Sequence, residues 1–159
     1  MNEAQWMDAA FALAEEAAAE GEIPVGAVIV DRTGTIIGRG RNRRESGDPL
    51  GHAEIYAIHE AARAMGDWRL EGTTMVVTLE PCAMCAGALV NARVERLVFA
   101  ARDPKAGFCG SLGNLVQDAR LNHRLEVESG LEEERSRTML QTFFRKLRER
   151  ERTERWQSG

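Results

Sequence analysis

Apolar positions recur at helical spacing near both ends and in the middle of the chain, and β-rich runs lie between them. From Glu3 to Glu20, Trp6, Ala10, Leu13 and Ala17 form one stripe before Gly21, which predicts an amphipathic helix with a glycine stop. "VGAVIV" (25–30) and "TIIGRG" (35–40) flank the turn-forming "DRTG", a hairpin pattern. The polar, glycine-containing stretch 41–51 reads as a loop. Residues 52–65 return to helical spacing, with Ile55, Ile58, Ala62 and Met65 as the expected apolar stripe. A strand at 73–79 feeds a helix at 81–92, with Pro81 expected as its first residue because proline lacks the N–H that a first turn leaves unused. A strand at 96–101, a long loop at 102–114, a short strand at 124–129 and a final helix from about 131 to 156 complete the chain. Strands that alternate with helices predict an α/β fold with a partly parallel sheet, opened by an antiparallel hairpin and covered by helices.

Composition narrows the class. The 159 residues suit one domain with its own core, 43% apolar and 29% charged as in ordinary globular proteins. The formal charge of −4 argues against a nucleic-acid coat or a basic membrane binder overall, and leaves a local basic face open. Acidic residues sit where a secretion signal needs Lys or Arg, and no apolar run approaches the roughly 18 residues of a membrane span. Three cysteines make a poor disulfide framework. A cytoplasmic, reduced protein is expected.

Two short motifs carry the candidate chemistry. In "PCAMC" (81–85), Cys82 and Cys85 are three positions apart at a helix start and share a face. A redox pair, half of a closed structural zinc site, core packing and part of a catalytic metal site are the competing uses. The redox reading wants the motif after the first strand, and the closed site lacks a second cysteine pair, since Cys109 is the only other cysteine. "HAE" (52–54) adds His52, so three nitrogen and sulfur donors stand together and leave a fourth tetrahedral position for water. Glu54 then becomes a candidate proton carrier. His59, seven residues further along the same helix, lies roughly 10 Å from His52, too far to share its metal, and is expected to be partly buried. His123 is expected to serve a turn or loop.

"HAE" with "PCAMC" resembles the H-x-E…P-C-x-x-C signature of zinc nucleoside and nucleobase deaminases. From "EIPVGAVIV" to "FFRKLRER", through "GRNR", "TLEPCAMCAGA", "FAARDPKAGFCGSL" and "LNHRLEVESG", the chain is similar to the bacterial tRNA-specific adenosine deaminases. That resemblance implies a three-layer α/β/α cytidine deaminase-like fold with a mixed five-stranded sheet. It implies one Zn²⁺ per subunit on His52, Cys82 and Cys85, with Glu54 moving protons as adenosine becomes inosine at the wobble position. Asn42 and the Ala53 N–H would meet the purine, with Ile23, Pro24 and Val25 as the pocket wall. Asp103 and Lys105 would approach the flanking nucleotides. Phe144, Arg145 and Arg148 of the final helix would hold the anticodon stem-loop, that of tRNA-Arg, with the Phe143–Phe144 pair partly in the core. Glu80 is expected to be structural, and Cys109 a free thiol in a flexible loop. Leu147 interrupts the basic run of the last helix where relatives often have arginine. The family also implies a homodimer, and Leu89 and Val90 could serve an interface as well as the core. The rivals are a free-base or nucleoside deaminase acting on guanine, cytosine or cytidine, and a non-catalytic RNA-binding subunit, which would be expected to lack Glu54.

Overall fold

A computed structural model of the chain describes residues 1–158. Helix α1 (Glu3–Ala19) leads into the hairpin β1 (Gly26–Val30) and β2 (Ile36–Arg41). Helix α2 (Ala53–Met65), β3 (Thr74–Leu79), α3 (Ala83–Asn91), β4 (Arg96–Ala101), β5 (Glu126–Ser129) and α4 (Glu133–Ser158) follow. The five strands form one sheet in the order β2-β1-β3-β4-β5. Strand β1 is antiparallel to both neighbours, whereas β3–β4 and β4–β5 are parallel. One sheet face is packed by α1 and α4 through Met7, Ala10, Phe11 and Met139. The other is packed by α2 and α3 through Ala53, Ala57, Ala61, Ala86 and Leu89. The expected three-layer α/β/α arrangement with a mixed five-stranded sheet is the one found. No helix among the described residues is long and apolar enough to cross a membrane.

Because β1 runs against its neighbours, β2, β3, β4 and β5 all point the same way. Their carboxyl ends, and the segment entering β1, therefore open onto one end of the molecule. In open α/β sheets, that end is where ligands bind.

The helix faces differ from the predicted stripes. In α2 the buried side is Ala53, Glu54, Ala57 and Ala61, while Ile55, Ile58 and Ala62 are half-buried and Met65 is exposed. Gly38 and Gly40 of β2 explain this. A Cβ on Gly38 would run into the Ala57 carbonyl oxygen, and one on Gly40 into that of Ala53, so the helix backbone lies directly on the strand and only alanine fits between. In α1, likewise, Met7, Phe11 and Ala14 join Ala10 and Ala17 on the buried side, with Trp6 and Leu13 at its margin. His59 is exposed rather than partly buried. Leu89 and Val90 take the core role: both are buried and pack under the sheet.

Candidate active site and metal centre

Both motif helices start just after the first metal-donor residue of their motif. His52 is the N-cap of α2 and Cys82 the N-cap of α3, each in extended conformation. Pro81 thus precedes the cap instead of opening the helix; Cys82 is held extended by a β-bridge to Gly107. Neither N-cap side chain makes a capping hydrogen bond. They turn toward each other, with Cys82 Sγ and Cys85 Sγ each 3.5 Å from His52 Nδ1. All three donor atoms lie within 4.8 Å of one another. Bonds of about 2.3 Å to sulfur and about 2.0–2.1 Å to nitrogen at the tetrahedral angle separate S from N by about 3.5 Å, so this spacing fits a Zn²⁺ ion held by three protein ligands.

The two thiols are pushed apart in acidity. The Cys85 S–H directed at Cys82, opposed by burial and helped by His52, holds the Cys82 thiol down to about 4. The same hydrogen bond, with burial and the charge of Glu54, pushes Cys85 up. His52 is raised by its bond with Cys82, against a burial cost.

Glu54, one turn into α2, is 4% exposed. Burial pushes its carboxyl above the ordinary carboxylate range, while His52 pulls it back. A carboxyl so raised beside a set of metal donors is suited to take and return a proton.

A small cleft of about 20 Å³ borders this group at His52, lined by Glu22, Ile23, Asn42, Arg44, Glu45 and His52. Ile23 and Asn42 therefore meet at the cleft as the sequence predicts. Pro24 and Val25 are buried behind it, and the Val25 carbonyl accepts from the Asn42 N–H at 3.2 Å. The Ala53 N–H, expected to face a base, instead donates to Asn42 Oδ1 at 3.0 Å. Asn42 thereby supplies the cap that His52 does not, and its amide group is left as a donor. Sequence reasoning missed Glu22, which is 3% exposed and accepts from the Glu45 N–H at 2.9 Å. It also missed Tyr56, whose hydroxyl donates to Asp48 in the loop before His52. Neither has a motif of its own; both act on residues distant in sequence or across a loop.

The loop after β4 is ordered around Glu80. Cys109 is buried there at 3% exposure, its thiol pushed up by burial, so it is not part of a flexible segment. Asp103 Oδ1 accepts from the N–H groups of Lys105 and Ala106, forming a turn, and Lys105 is exposed. His123 bonds the Val94 carbonyl through Nε2 at 2.7 Å, a loop-fastening role. Phe143 is half-buried and packs edge-on against Phe144, which is 38% exposed. Arg145 and Arg148 are exposed. None of these α4 residues lines the cleft, but their neighbours Lys146, Leu147 and Arg150 share a groove with Glu20 and Gly21, which lead directly into Glu22.

Residues 1–148 match the model of the MafB19-like deaminases. The chain is 50% identical over 151 residues to the tRNA-specific adenosine deaminase of Bacillus subtilis (strain 168), a match covering 94% of this chain and 93% of the relative. It belongs to the tRNA-specific adenosine deaminase family. The Haemophilus influenzae (strain ATCC 51907 / DSM 11121 / KW20 / Rd) member of that family is 48% identical over 91% of this chain and 84% of its own. A solved structure from work on A-to-I editing by tRNA:A34 deaminases superposes with a TM-score of 0.81 at 42% identity, covering 86% of this chain and 99% of that one. Guanine deaminase from Nitrosomonas europaea shares the fold at a TM-score of 0.76 and 25% identity, over 88% and 83% of the two chains. The chain is therefore a deaminase with the cytidine deaminase-like architecture.

Proposed function

We propose that this deaminase hydrolyses adenosine at position 34, the wobble position of a tRNA anticodon, to inosine and ammonia. The observation that carries the reading is the buried Glu54 beside the His52–Cys82–Cys85 group, with His52 on the wall of a small cleft, in a chain half identical to a tRNA-specific adenosine deaminase. A Zn²⁺ ion on these three ligands would lower the pKa of a water in the fourth position toward about 7. Glu54 would take one proton from the attacking water and place it on N1, then take the second from the new C6 hydroxyl as the carbonyl forms and give it to the amine, which leaves as ammonia. Burial suits it to each exchange, because a carboxyl raised above the ordinary carboxylate range holds a proton more readily and can still give it up. Asn42, with Oδ1 occupied by the Ala53 N–H, keeps its NH₂ for an acceptor on the purine edge.

The anticodon stem-loop, that of tRNA-Arg, would reach the cleft past Asp103 and Lys105 on one side and Phe144, Arg145 and Arg148 on the other. Residues 145–155 hold six basic and three acidic side chains in a chain of net charge −4, so the positive charge is local to α4. The reading makes the chain one catalytic domain whose last helix contributes RNA contacts, acting as a cytoplasmic homodimer.

The test is inosine formation by the zinc-loaded protein on a tRNA-Arg anticodon stem-loop, beside ammonia release from guanine, cytosine and cytidine, with Glu54→Ala as control. Inosine on the RNA that disappears with Glu54→Ala is expected. Release of ammonia from a free base with no inosine on RNA would replace this reading with that of a free-base deaminase.

A further inference from the structure

We infer that Glu80 is a positioning residue that anchors the 103–111 loop to the zinc-binding turn and so fixes where the substrate's flanking nucleotides are met; this rests on the RNA reading above. Glu80 is 2% exposed and follows β3 directly, two residues before Cys82. Its carboxylate bonds no residue of its own segment. Oε1 accepts from the Asp103 N–H at 3.0 Å and from the Ser111 hydroxyl. Oε2 accepts from the N–H groups of Cys109 and Ser111, each at 3.0 Å. Four donors spread over nine residues of loop thus converge on one carboxylate.

The loop is pressed against this anchor. Gly107 lies so close that a Cβ there would overlap the Glu80 carboxyl group. On the far side, Phe108 N–H bonds the Pro81 carbonyl at 2.9 Å and Gly107 bridges Cys82. Asp103, fixed at its backbone by Glu80, in turn fixes Lys105 through its own side chain. The line of placement runs from Glu80 to Asp103 to Lys105, and it starts two residues before Cys82 without using any of the metal-donor side chains.

Glu80→Gln separates these roles. An amide must turn its NH₂ toward one of the two donor pairs. The Oε1 pair is the less costly, because the Ser111 hydroxyl can reverse and accept, so the bond lost is the one to Asp103. Zinc content and kcat at saturating RNA should stay within about threefold of the parent, while KM for the anticodon stem-loop rises about tenfold or more, the loss expected for one charge-assisted bond. In the inactive Glu54→Ala background, Kd for the same RNA should rise equally. The Asp103 amide should exchange with solvent about tenfold faster or more. Gly107→Ala, which crowds the anchor from the loop side, should give the same KM-against-kcat split and serves if Glu80→Gln does not fold. Unchanged KM and Kd, or loss of zinc with KM intact, overturns the inference. If the parent itself neither binds the RNA nor forms inosine, the functional reading fails; amide exchange still tests the anchor, and unchanged exchange at Asp103 overturns it.

Discussion

At the scale of single residues, the site depends on two helix caps that do not cap. His52 and Cys82 occupy positions where a side chain ordinarily satisfies its own helix, a contribution of about 1 kcal/mol. Their extended backbones aim them at a common point instead, and Asn42 caps α2 in place of His52. Replacing Glu54 by Gln should leave zinc bound and lower inosine formation by about 10²–10⁴-fold, the range for a lost general acid-base group; metal analysis beside a single-turnover assay checks it. Zinc loading should also release protons, because Cys85, held protonated by its bond to Cys82, must ionise to bind metal. The sign follows: protons compete with zinc, so affinity falls as pH falls and rises with pH until the competing protons are gone. Calorimetric titration of the metal-free protein in two buffers of different ionisation enthalpy should show about one proton or more released per site at neutral pH.

At the scale of elements, close backbone contact sets the precision of the site. Gly40 seats the first turn of α2 on β2, and that turn carries Ala53 and Glu54 directly after His52. Gly40→Ala should cost about 1–3 kcal/mol of stability by overpacking and should weaken zinc binding; denaturant unfolding and metal competition measure the two effects. The β1–β2 turn gives a separate check on the hairpin. Asp31 accepts from the Thr33 hydroxyl and from the N–H groups of Thr33 and Thr35. The Thr33 hydroxyl bond, against a small burial effect and with the backbone bonds, lowers its pKa below the ordinary 3.8. A carboxyl depressed on folding stabilises above its unfolded pKa, and that stabilisation is lost as pH falls through the folded value. The Tm difference between the parent and Asp31→Ala should therefore be constant from pH 7 to about 5 and shrink below about 4.

At the scale of the whole molecule, strand order gathers the chemistry. Asn42 after β2, Glu80 to Cys82 after β3 and the 103–111 loop after β4 share one end of the sheet because those strands run in one direction. Helix α4 packs at its start, where the Ser136 hydroxyl bonds the Thr78 carbonyl at 2.6 Å, and then presents its basic half to solvent. Arg145→Ala with Arg148→Ala should leave Tm unchanged, since both side chains are exposed. If each meets a phosphate, the double variant should bind the anticodon stem-loop more weakly, and its slope of log K against log salt should shrink by about 0.7–0.9 per lost contact. Binding measured between low and moderate salt decides this.

The amino-acid sequence by itself determined the elements and singled out three candidate metal donors and a candidate proton carrier. These rest on local spacing: helical periodicity, the turn chemistry of "DRTG", and two motifs whose residue types have few other joint uses. Tertiary structure decided what local spacing cannot carry. Whether His52 meets Cys82 and Cys85, which lie 30 and 33 residues away, depends on how the sheet brings α2 and α3 together. The stripe Ile55, Ile58, Ala62 and Met65 has the right period for a buried face, yet the glycines of β2 select the alanine side, because closeness of approach rather than side-chain size fixes that contact. Glu80 reads as a lone acidic residue before a proline, and becomes an anchor only when a loop more than twenty residues away closes over it.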